Sequence, residues 1–115
     1  MRTLFVLFVA FLLVACQQEP PAQSLTPEQS AALRPADTRI AGLYEQSCKS
    51  CHTVADTGAP LTGDRTQWDA RWRKGEDELL NNTIRGFNGM PAGGQCFSCS
   101  PDDYNALIRF MAGRE

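Results

Sequence analysis

An all-α fold of about four helices is what this sequence predicts, and three observations predict it. Apolar residues recur at helical spacing, most plainly in Tyr104, Leu107, Ile108 and Met111, at i, i+3, i+4 and i+7. Gly75, Gly86 and Gly113 follow such stretches, where a helix stops. No segment carries a convincing strand pattern.

The first helix is expected over residues 37–52, with Asp37 or Thr38 as cap and Ile40, Leu43 and Tyr44 on one face. The second spans about 66–74 and stops at Gly75. The third, 76–85, presents Leu79, Leu80 and Ile84 and ends at Gly86. The fourth opens Ser100-Pro101-Asp102-Asp103, which combines an N-cap, a first-turn proline, acids against the helix dipole and a capping-box partner. It runs to about Ala112, and Met111 falls on its core stripe. None of these stripes closes a core without a large apolar object between them.

The chain's start reads differently. Met1-Arg2-Thr3 is a short positive opening, and residues 4–15 are an unbroken run of twelve apolar residues. That length suits a secretory signal and is too short to span a bilayer as a mature helix. It ends Leu13-Val14-Ala15-Cys16, which resembles the lipobox of bacterial lipoproteins and implies lipid on Cys16. Gln17 after it favours the outer membrane over the inner, on the periplasmic side. Residues 16–36, rich in Gln, Pro, Ala and Ser, are expected to form a flexible tether. The division is therefore a signal at 1–15, a lipidated tether at 16–36 and one domain at 37–115.

A domain of roughly 80 residues rarely supports itself without disulfides, metal or a cofactor. The net charge is −2 with no basic run, so nucleic acid is not an expected partner. Setting Cys16 aside, four of the five cysteines form two C-x-x-C pairs, Cys48/Cys51 and Cys96/Cys99. In an oxidising compartment idle paired thiols do not persist, so each pair needs a fate.

The first pair reads Cys48-Lys49-Ser50-Cys51-His52, the C-x-x-C-H pattern of c-type haem attachment. Two sulfurs one helical turn apart can bond to the two vinyl groups on one porphyrin edge. The next residue, the chain's single histidine, then reaches the iron. Two other fates fit such cysteines. A four-cysteine zinc site uses two such pairs, but the stretch from Cys51 to Cys96 is far longer than its usual spacing of about 15 to 20 residues. A dithiol redox pair is expected within a βαβ pattern, which neither C-x-x-C has.

The second axial ligand is expected to be Met90. It sits in Gly86-Phe87-Asn88-Gly89-Met90-Pro91-Ala92-Gly93-Gly94, a stretch without periodicity, and Pro91 stiffens the display of its thioether. His52 and Met90 together fill both axial positions, which suits one-electron transfer and leaves no open site for a small-molecule substrate. An enzyme is not expected.

With these stretches in hand the chain resembles the class I c-type cytochromes, and more narrowly the cytochrome c5 family. Gly58-Ala59-Pro60, Gly63-Asp64, Trp68, Arg71, Gly75, residues 84–91 and Cys96-Phe97-Ser98-Cys99-Ser100 carry the likeness. The resemblance implies a small class I cytochrome c fold wrapped around one covalently attached haem c, and a Cys96–Cys99 disulfide, whose four-residue loop is too small for a large entropic effect and whose expected benefit is pinning the methionine loop. It implies that the Pro60 carbonyl accepts the other ring N–H of His52. It also implies that Trp68 packs at the haem edge with its indole N–H towards a propionate. One position departs from the pattern: Ile40, not glycine, stands four residues before Tyr44 where the terminal helices cross. The expected partners are redox proteins of the periplasm or membrane, with the membrane itself engaged through Cys16.

Overall fold

The structure, a computed structural model, describes residues 21–115, which fold as helices without a named strand. The signal at 1–15 and the lipidation site Cys16 lie outside the described residues. α1 is Pro27–Ala32 and α2 is Thr38–Leu43. A π-helical stretch, Tyr44–Cys48, carries α2 directly into α3, Lys49–His52. α4 is Arg65–Trp72, α5 is Glu76–Arg85 and α6 is Pro101–Met111.

The expected first helix is thus present over nearly its whole length but is not uniform. In the π stretch the chain bonds one residue further back, as Lys49 N–H does to the Tyr44 carbonyl. The wider turn falls immediately before Cys48 and Cys51. α4 starts at Arg65 because Asp64 caps it, accepting from the N–H groups of Thr66 and Gln67. α6 has the expected reciprocal box: Ser100 accepts from the Asp103 N–H, and Asp103 accepts from the Ser100 N–H.

The core lies where α2 and the π stretch cross α6. Ile40, Tyr44, Trp68, Leu107, Phe110, Met111 and Ala112 form one buried cluster. Tyr44 and Phe110 meet edge to face, centroids 4.9 Å apart at 81°. Ile40 is buried in this crossing, so a branched side chain is accommodated there. Met111 is core, as its stripe predicts. On α5, Leu79 is buried but Ile84 is 42% exposed. Ile84 sits about 140° around the helix from Leu79, away from the face that Leu79 and Thr83 share.

The tether reading is corrected for residues 24–36. Thr26 and Gln29 form a capping box that starts α1, and Ser30 is fully buried. Leu25 N–H and Ser24 Oγ bond to the Asp64 carboxylate, which ties the segment to the cap of α4. Leu33 lies over Gly63, where any Cβ would stand 2.3 Å from the leucine Cδ1. Low hydrophobicity pointed to a free linker, but a few well-placed contacts bind it. The folded body therefore includes residues 24–36 as well as 37–115.

Candidate cofactor site

The loop between α3 and α4 starts at His52 and is closed at its base. Thr62 N–H donates to the His52 carbonyl at 2.7 Å, and Tyr44 OH donates to Thr62 Oγ1 at 3.0 Å. Within this frame His52 Nδ1 lies 2.8 Å from the Pro60 carbonyl oxygen. A carbonyl can only accept, so Nδ1 carries the proton and Nε2 keeps the free lone pair with which a nitrogen ligand can coordinate. Burial lowers the His52 pKa, the Pro60 contact opposes this, and the charge of Arg71 adds to the lowering. The ring is therefore neutral at pH 7, the form a metal binds.

Trp68 stacks on the His52 ring, centroids 5.9 Å apart and 25° between planes. Its indole N–H donates to the Leu61 carbonyl at 2.8 Å. This corrects the expectation that the N–H points to a propionate: a buried indole needs a partner, and the loop carbonyl just before α4 supplies it.

Across from His52 stands the loop 86–95. Phe87 and Met90 exchange two backbone hydrogen bonds, Phe87 N–H to Met90 O at 3.0 Å and Met90 N–H to Phe87 O at 2.9 Å. Asn88 turns between them at φ +51°. Gly86, at φ +86°, lets this turn fold back on itself, since a Cβ there would lie 3.0 Å from both Met90 O and Ala92 N. Cys96 and Cys99 form a disulfide, and Tyr104 OH donates to the Cys96 carbonyl at 2.8 Å. That disulfide removes the second pair from any four-cysteine zinc site.

Between the two loops runs a cleft. Its inner part, about 290 Å³, is walled by His52, Trp68, Leu79, Phe87, Met90 and Met111, among others. Its outer part, about 620 Å³, is lined by Cys48, Cys51, His52, Pro60 and Met90, among others. The two parts share His52, Pro60, Arg71, Phe87 and Met90. Cys48 and Cys51 are free thiols on its edge. Burial, with the neighbouring Cys51 second, pushes the Cys48 thiol up to about 11.

These residues fit a covalently held haem. The thiols stand one turn apart, the cleft is walled largely by apolar side chains, and nitrogen and thioether donors stand on its walls. Arg71 and Lys74 also line it and bring positive charge for propionates. Reading the sequence assigned Lys74 no role, and no local motif marks a side chain that reaches the cleft from the turn between α4 and α5.

Comparison with known proteins agrees. Residues 35–111 match the family model described as cytochrome c oxidase, cbb3-type, subunit III. Cytochrome c5 of Ectopseudomonas mendocina is 38% identical over 82 residues, covering 70% of this chain and 90% of that protein. Cytochrome c-555 of Chlorobaculum tepidum is 31% identical over 75 residues, covering 62% and 69%. A solved electron-transfer complex of nitrite reductase with cytochrome c contains a chain of 26% identity and TM-score 0.60, covering 70% of this chain and 98% of that one. By its fold, its Cys48-x-x-Cys51-His52 site and these relatives, this chain belongs to the class I c-type cytochromes, is cytochrome c5-like, and is a mono-haem electron carrier with haem c held through Cys48 and Cys51.

Proposed function

We propose that the protein is a lipid-anchored one-electron carrier in which His52 and Met90 take the two axial positions of the haem iron. One observation carries the reading of the ligands: His52, oriented by Pro60, and Met90, held by Phe87, wall the same cleft, with Cys48 and Cys51 on its edge. Haem supplies a one-electron couple, and a thioether ligand favours its reduced form. The chain's part is to orient the imidazole, present the thioether, exclude water from the inner cleft and leave one edge open to a partner. With both axial positions filled, no position remains for a substrate, which supports a carrier over an enzyme.

Partner proteins meet the cleft's rim. Residues 86–100 contain no charged side chain, and Phe97 within them is 95% exposed. Such a rim suits a short-lived apolar contact below about 1,200 Å² with a redox protein. The nitrite reductase in the solved complex is one such protein for its own cytochrome. Anchoring rests on the Ala15-Cys16 junction after an apolar run, and it sets the carrier on the periplasmic side, with the outer membrane favoured. A second reading, a subunit of a larger oxidoreductase, is favoured by the family model's own description. Co-purification with a membrane complex after mild solubilisation supports it, and recovery of the cytochrome alone removes it.

The test is an absorption spectrum of periplasmically matured protein with a pyridine haemochrome. A c-type haemochrome, with the weak far-red band of thioether-bound ferric iron that disappears in Met90→Ala, is the expected result. A c-type haemochrome lacking that band in the native protein removes Met90 as ligand and brings forward a sensor of carbon monoxide or nitric oxide. A mature protein whose Cys16 takes up no labelled fatty acid overturns the anchor.

A further inference from the structure

We infer that residues 24–33 form a clasp whose Ser30 hydroxyl positions the loop that orients His52. This rests on the axial role of His52 proposed above.

Ser30 is fully buried, and its Oγ lies 2.8 Å from the Thr62 carbonyl and 3.3 Å from the His52 carbonyl. One hydroxyl proton therefore serves the two carbonyls at the loop's base, chiefly that of Thr62. The His52 carbonyl already accepts from Thr62 N–H, so Ser30 closes a three-membered knot two residues beyond Pro60. Pro60 supplies the carbonyl that holds the His52 ring. The position of that carbonyl depends on where the loop's base is held.

α1 is only six residues long, too short to stand alone in water. Three contacts hold it: the Ser30 knot, the Asp64 carboxylate on Leu25 N–H and Ser24 Oγ, and Leu33 seated over Gly63. All three land on the loop base and the cap of α4, on the His52 side of the cleft. None touches the methionine loop. The clasp also lies outside the family match, which begins at residue 35.

A loosened Pro60 contact makes the imidazole a weaker donor, because the accepting carbonyl raises its basicity. Weaker donation favours the reduced iron, so the midpoint potential rises. The experiment compares Ser30→Ala with Leu33→Ala in the full-length holoprotein. Both are expected to lower the thermal midpoint, since both weaken α1's attachment. Only Ser30→Ala is expected to raise the potential and to speed exchange of the His52 Nδ1 proton about fivefold, read by proton NMR of the reduced protein well below unfolding.

Equal potentials and equal exchange in Ser30→Ala and the native protein, whatever the thermal midpoint, overturn the inference. So does an equal shift in both variants, which reports general loosening. Native protein without strongly ring-current-shifted His52 signals would remove the axial histidine and the clasp's role with it, an outcome the unmutated sample alone reveals.

Discussion

His52 and Pro60 are eight residues apart in the chain, yet the imidazole Nδ1 and the proline carbonyl oxygen stand 2.8 Å from one another. The contact uses a backbone atom, so no side-chain substitution at Pro60 deletes it. The ring of Pro60 instead restricts the chain that presents the oxygen. Pro60→Ala should therefore lower stability by about 0.4–1 kcal/mol by freeing the unfolded chain. It should also raise the midpoint potential as the hydrogen bond slackens. Thermal unfolding and redox titration of the holoprotein check the two parts separately, and a fall in potential would show that the carbonyl does not tune the ligand.

A second prediction concerns acid. The Arg39 guanidinium lies 2.7 Å from Asp103, and the Ser100 N–H bonds to the same carboxylate. Arg39 first, and then that N–H, hold the Asp103 carboxyl down from its ordinary 3.8 to about 2. Its folded value is below its unfolded one, so the stabilisation is complete above about pH 4 and is lost as pH falls towards 2. Denaturant unfolding of the native protein should show stability dropping across that window. Asp103→Asn should be less stable at pH 7 and show a flatter acid limb. An unchanged limb would show that Arg39 and Ser100 do not stabilise the carboxylate in solution.

How much of this was legible beforehand follows from distance along the chain. α5 and α6 were readable because their starts and stops are local: Gly75 and Gly86 bracket one, and Ser100, Pro101 and Asp103 open the other. The attachment pair and His52 were readable for the same reason. Trp68 was placed near the haem, but the destination of its indole N–H was not, because the Leu61 carbonyl that accepts it is a backbone atom seven residues back with no sequence signature. α1 was missed although Thr26-Pro27-Glu28-Gln29 is a capping-box sequence. Composition outweighed that signal, and what holds α1 is Ser30 on residues 52 and 62 and Asp64 on Ser24 and Leu25. The π-helical stretch before Cys48 has no local signature in the residues that form it.

Gly86 makes the sharpest prediction on the methionine side. At φ +86° and ψ +154° it occupies a region essentially reserved for glycine, so an alanine there costs about 1–3 kcal/mol before any clash. The added Cβ would also press on Met90 O and Ala92 N, both backbone atoms that cannot rotate away. Gly86→Ala should lose that stability and weaken or abolish the far-red band of thioether coordination, while the haem stays attached through Cys48 and Cys51. A Cβ at Gly42 would meet only open space, so Gly42→Ala should leave the band intact. Equal bands in the two variants would show that the turn tolerates displacement.

The Cys96–Cys99 disulfide closes only four residues, so its effect on unfolded-chain entropy is at most about 2 kcal/mol. Its larger effect should be local. Cys96 is buried, its carbonyl accepts from Tyr104 OH, and its N–H bonds back to the Gly93 carbonyl three residues after Met90. The bridge thus joins α6's Tyr104 to the loop that displays the thioether. Cys96→Ser with Cys99→Ser should weaken the proposed Met90 coordination, seen as a fainter far-red band and readier binding of added imidazole. Tyr104→Phe should reproduce part of that change with the disulfide intact, because it removes the same anchor from the other side. A double serine variant that loses stability while its imidazole affinity stays native would make the bridge a general brace, and Tyr104 alone would then hold the loop.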